Sequence, residues 1–178
     1  MEQEHDKEKQ MQKQLVITVI GPDRPGIVES LAEAVSTAGG SWQASSMSEL
    51  AGQFAGILQV TLPEAAVAPL HQALNALPDL RITLVEGAEV ALPDHELLIT
   101  LTANDRPGIV HELSAALHRL SVNVMELSTG CEAAAHSGAP LFYAHALLAL
   151  PQGMTQEELV AALESLSDDL MIDIDEAG

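Results

Sequence analysis

Residues 23–28 read Asp-Arg-Pro-Gly-Ile-Val, and residues 105–110 read Asp-Arg-Pro-Gly-Ile-Val again, 82 positions later. Each copy follows an apolar, strand-like run, Leu15 to Ile20 and Leu97 to Leu101. Each precedes apolar residues at helical spacing: Ile27, Val28, Leu31 and Val35 in the first copy, and Ile109, Val110, Leu113, Leu117 and Leu120 in the second. Steps of three and four place these on one helix face. A strand, a turn and a helix have been duplicated.

The duplication extends outward from the motif. The same offset sets Ser41 on Asn123, each opening a short strand, and Pro63 then matches Pro151, so the intervening loop is six residues longer in the second copy. Apolar runs at Phe54 to Leu62 and Leu141 to Leu150 read as third strands. Second helices are expected around Ala66 to Leu77 and Gln156 to Leu166, and closing strands at Leu80 to Val85 and Leu170 to Ile174. The order is β-α-β-β-α-β, twice, so the expected class is α+β with two tandem ferredoxin-like domains. The first and third runs are nearly unbroken and read as central strands. The last strand alternates Ile172 and Ile174 with Asp173 and Asp175, as an edge strand does. The expected organisation is a tail at 1–14, a first domain at 15–86, a linker at 87–95 holding Gly87, Pro93 and Asp94, and a second domain at 96–176.

Charge excludes some partners. The chain has 178 residues and a net charge of −19. Lys7, Lys9 and Lys13 lie in the tail, so everything beyond it holds only Arg24, Arg81, Arg106 and Arg119 against most of the 26 acids. Such a surface repels a phosphate backbone, and direct nucleic-acid binding is not expected. Cys131 is the one cysteine, which allows no intrachain disulfide and fits a reducing cytosol. The charged N-terminus lacks the apolar core of a secretion signal, and no apolar run reaches membrane-spanning length. A cytoplasmic protein is expected. Aromatic residues make up 2% of the chain, so aliphatic packing dominates. Units this small are marginal alone, and packing of the halves on each other or on another chain, as in a homo-oligomer, is expected.

The motif has two readings. Asp23 and Asp105 stand where a helix N-cap belongs, with Pro25 and Pro107 in the first turn, where a missing amide costs little. Gly26 and Gly108 remove bulk and let a ligand approach the backbone. A helix start with free amides suits an α-carboxylate, and the Asp suits an α-ammonium, so the turn is a candidate receptor for an amino acid. The same residues are also good capping chemistry with no ligand at all. Arg24 and Arg106 have a carboxylate-gripping and a surface reading, of which the surface reading is favoured. His111 and His118 lie seven apart on one helix and read as polar-face residues rather than a metal pair. Cys131, Glu132 and His136 fall in the longer loop and read as loop variation. No catalytic serine motif, phosphate loop or dinucleotide fingerprint occurs, so no enzyme activity, metal or cofactor is expected.

The motifs Gly-Pro-Asp-Arg-Pro-Gly-Ile-Val at 21–28 and Asn-Asp-Arg-Pro-Gly-Ile-Val at 104–110 resemble the first-turn signature of the ACT domain family, over about residues 14–176. They resemble the signature of its branch of tandem-domain glycine cleavage repressors, and deformylase-type ACT domains carry a similar motif. The resemblance implies a ligand at the turn, usually completed across an interface between ACT domains. The residues it implies are Asp23, Gly26 and Ser41 in the first copy, and Asp105, Gly108 and Asn123 in the second. Ser41 replaces the Asn of several amino-acid-binding members, so the second copy is expected to bind better. The His that some members place two residues before the motif is here Gly21 or Ala103. The implied function is amino-acid sensing, with glycine a candidate, and transcriptional regulation through a protein partner such as an activator. The alternative is a detached regulatory subunit of a metabolic enzyme, of deformylase type or in amino-acid biosynthesis.

Overall fold

The computed structural model describes residues 11–134 and 138–175. The chain divides into two compact units, Met1–Val90 and Ala91–Gly178. The first holds β1 (Gln12–Pro22), α1 (Ile27–Thr37), β2 (Ser41–Leu50), β3 (Gln53–Pro63), α2 (Val67–Asn75, preceded by one 3-10 turn) and β4 (Arg81–Glu86). The second repeats the order with β5 (Glu96–Asn104), α3 (Ile109–Arg119), β6 (Asn123–Ala133), β7 (Pro140–Ala149), α4 (Gln156–Glu164) and β8 (Met171–Asp175). The sheets are antiparallel, ordered β2-β3-β1-β4 and β6-β7-β5-β8. The expected ferredoxin-like class and the central placing of the first and third strands hold in both.

The helices of each unit cover one sheet face. In the first, Leu15, Ile17 and Val19 of β1 and Leu58, Val60 and Leu62 of β3 pack with Ile27, Leu31 and Val35 of α1 and Leu70 and Leu74 of α2. In the second, Ile99, Leu101, Ala144 and Leu148 meet Ile109, Leu113, Leu117, Leu159 and Leu163. The central strands are apolar along both faces yet buried along one. Val16 and Ile20 alternate with the buried residues of β1, so an unbroken apolar run here marks strand position rather than burial on both sides.

Four readings need correction. β1 starts at Gln12, because its first residues pair with the end of β3, Gln12 opposite Pro63. Val28 and Val110 leave the helix core, 48% and 44% exposed, because the stripe follows Ile27–Leu31–Val35 and Ile109–Leu113–Leu117. Cys131 and Glu132 belong to strand β6, opposite Phe142 and Leu141, so they lie in the paired part of the hairpin and not in its loop. His136 of that group lies outside the described residues. The helix starts differ most: neither motif Asp is the N-cap. The caps are Gly26 (φ 87°, ψ 3°) and Gly108 (φ 89°, ψ −2°), left-handed, with no side-chain cap bond, and Pro25 and Pro107 precede the helix.

Candidate functional site

The motif turn is fixed by its backbone. Its entry is tied to the neighbouring hairpin: the Asp23 amide donates to the Gly52 carbonyl at 2.8 Å, and the Asp105 amide to the Pro140 carbonyl at 3.0 Å. Glycine then takes the left-handed conformation that L side chains disfavour by about 1–2 kcal/mol. A Cβ at Gly26 would meet nothing closer than Glu29 Oε2 at 3.9 Å, and at Gly108 nothing within 4 Å. Glycine is therefore required by φ rather than by crowding. Its carbonyl accepts the first helical bond, from Ser30 at 2.9 Å in one copy and Glu112 at 3.0 Å in the other. Each helix thus begins without a capping side chain, at the positive end of its dipole.

In the first copy this turn borders an open depression of about 380 Å³, lined by Asp23, Arg24, Gly26, Val28, Glu29 and Phe54. Asp23 and Gly26 are brought together there. Phe54 was not legible as a site residue, because its approach depends on the hairpin folding back onto the turn, whereas Glu29 stands in the first turn of α1, three residues after Gly26. The Arg24 guanidinium donates to the Pro78 carbonyl at 3.3 Å. Arg106 pairs with Glu112 at 2.5 Å, and its Nη1 is buried without a partner. Arg106 thus neutralises a nearby acid, as the surface reading has it, whereas Arg24 binds a backbone carbonyl instead.

In the second copy Asp105 has a neighbour the sequence did not suggest. The Cys131 thiol is pushed up from its ordinary value, first by desolvation and then by the charge of Asp105 and a hydrogen bond to it. A thiol held protonated is a poor nucleophile and metal ligand. Among the described residues no group of three or more His, Cys, Asp or Glu could hold a metal. His111 and His118 are exposed on α3.

Ser41 and Asn123 do not join the turns of their own domains. Ser41 pairs with Thr61, and Pro22, next to the turn, pairs with Gln53. The two stations are eight residues apart along β3, roughly 26 Å. The same holds for Asn123 opposite Ala149 and Asn104 opposite Leu141. The helix after the turn runs back along the sheet, so the second strand opens at the far end.

A second anchor fixes the turn in the second copy. Asp169, in the turn before β8, accepts the Asn104 amide at 2.9 Å and a hydrogen bond from the Ser167 hydroxyl. These donors, Ser167 first, hold its carboxyl below the ordinary range. A depressed carboxyl contributes stability above its unfolded pKa and loses it as pH falls through the folded one. Asp169→Asn is therefore expected to lower stability at pH 5–7. The gap from the parent should begin to narrow as pH falls below about 4, the ordinary carboxyl value, and close only below the lowered value of the folded state, where both forms are neutral. Urea unfolding at several pH values measures this.

Residues 13–84, nearly the whole of the first domain, match the family model of the ACT domain. The second repeats its element order, strand order and motif turn. The chain is similar to a protein of unknown function from Galdieria sulphuraria, 29% identical, covering 94% of this chain and 99% of that one, with a TM-score of 0.82. It shares its fold with a candidate glycine cleavage system transcriptional repressor, 19% identical over 93% of this chain and 97% of that one, with a TM-score of 0.67. No curated protein sequence matches it significantly.

Proposed function

We propose that this protein is a non-enzymatic regulator that binds a free amino acid at its motif turns and passes the signal to a protein partner in the cytoplasm. The observation that carries this reading is the twice-built turn, in which a left-handed glycine opens a helix with no capping side chain and an Asp stands three residues earlier. Backbone amides suit the α-carboxylate, and Asp23 or Asp105 suits the α-ammonium. A second copy of the chain supplies Ser41 or Asn123, which their own domains hold about 26 Å away. The match of the first domain to the ACT family model supports amino-acid sensing.

Transcriptional control of the glycine cleavage type is the specific form we favour, with glycine the first ligand to test. The fold shared with a candidate repressor of that system supports it. The net charge of −19 favours action through an activator protein rather than on DNA. Among the described residues no helix is long and apolar enough to cross a membrane. Purified protein is expected to give no gel shift with any DNA at physiological salt, and a tagged copy to co-purify with a transcription activator. A salt-dependent shift would contradict the charge argument, and recovery of a metabolic enzyme instead would favour a detached regulatory subunit.

A further inference from the structure

The two domains share a fold but differ on the sheet face their helices leave open. In the second domain that face carries Glu96, Glu126, Glu132 and Asp173, placed by their pairing with Ala149, Leu147, Leu141 and Thr100. In the first domain the alternate residues of β1 that turn away from the helices, Gln12, Gln14, Val16, Thr18, Ile20 and Pro22, and the residues paired with them include no Asp or Glu. Arg81 is the one charge there, and among the described residues it has no hydrogen-bond or ion-pair partner. Ile20, Ile57 and Val85 on this face are 48%, 49% and 53% exposed. A chain with 26 acids has kept one whole sheet face free of them.

We propose that this face is where two copies of the chain pair, sheet against sheet, through their first domains. Charge is the first argument. Most surfaces of a chain with net charge −19 repel a second copy, whereas this one meets its own image without an acid on either side. Shape is the second. Short side chains at Ala55, Ser46 and Ser48 leave a depression of about 620 Å³ beside Ile20 and Ile57. Val16 and Val85, paired across the sheet, stand one step further along it. A twofold axis in the plane of the face, oblique to the strands, lays the branched pair of each copy, on β1 and β4, over the depression of the other, beside β3 and β2, as an isologous contact requires. Area is the third. Strands of 6 to 11 residues, at about 3.3 Å per residue and about 4.8 Å apart, give a face of roughly 600 Å². Two such faces reach the roughly 1,200 Å² at which specific interfaces begin.

Sedimentation equilibrium of the full chain tests this. The parent is expected to dimerise in the micromolar range. Ile57→Glu places two unpaired carboxylates in the contact and is expected to weaken dimerisation on the order of a hundredfold or more. Leu98→Glu, on the same face of the second domain, is expected to leave it unchanged. Circular dichroism checks that each variant is folded, and Thr83→Glu replaces Ile57→Glu if that variant is not. A parent that stays monomeric up to about 100 μM, whether its own chain or another protein covers the face, overturns the proposal. So does a folded Ile57→Glu or Thr83→Glu protein that dimerises like the parent, or a Leu98→Glu protein that falls apart like Ile57→Glu.

Discussion

Gly21→Ala is expected to destabilise the first domain by about 3 kcal/mol, the upper end of the overpacking range. A Cβ at this position would collide with the Asp79 carbonyl oxygen and lie 2.7 Å from Leu80 Cδ2. The carbonyl is backbone, and Asp79 already holds a left-handed φ of 62° to bring the chain round into β4. Neither the added methyl nor the turn can yield without breaking the pairing of Ile20 with Arg81. A domain of this size loses roughly 4–8 °C of Tm per kcal/mol, so calorimetric melting should show the change plainly. Gly26→Ala supplies the contrast: its methyl has room, and its cost of about 1–2 kcal/mol comes from backbone conformation alone. Equal effects, or a tolerated Gly21→Ala, would show that the approach of Asp79 is not tight. The same contact explains why the first copy has no room for the His that some ACT domains carry here. In the second copy the position is the buried Ala103.

Loss of the motif Asp should have the larger effect on binding. Asp105→Ala is expected to weaken amino-acid affinity roughly ten- to a hundredfold, through loss of one charge-assisted hydrogen bond worth about 1.5–3 kcal/mol. Because the Asp caps no helix, this variant should stay close to the parent in stability. Asn123→Ala should also weaken binding, since its amide both donates and accepts, even though it stands at the far end of its own sheet. Asp23→Ala and Ser41→Ala should cost less, because a single hydroxyl replaces that amide in the first copy. Mixing Asp105→Ala with Asn123→Ala protein should restore part of the lost binding if the two residues meet across copies. Isothermal titration of the four variants and the mixture measures this. Loss with Asp23→Ala but not Asp105→Ala would reverse the order.

The fold was legible because duplication doubled its signal. One hexapeptide aligned the two halves, and the apolar runs then gave strand order directly. The helix start was less legible. Asp-Arg-Pro-Gly fits capping by Asp or by a left-handed Gly, and only the φ of Gly26 and Gly108 separates them. The α4 cap was readable, since Thr155 and Glu158 have capping-box spacing and form both bonds. The separation of Ser41 from Asp23 was also implicit, because a helix antiparallel to its preceding strand must deliver the chain to the opposite sheet end. The contact of Cys131 with Asp105 was not, since it depends on how far the longer hairpin stays paired.

Isothermal titration of the parent protein with each of the twenty amino acids tests the central claim most directly. Saturable binding of one or a few, glycine first among them, is expected, and it should be lost or sharply weakened in Asp105→Ala while the melting temperature holds. Binding of none, or binding that survives unchanged in Asp23→Ala and Asp105→Ala alike, would contradict it and leave the repeated turn as a helix start alone.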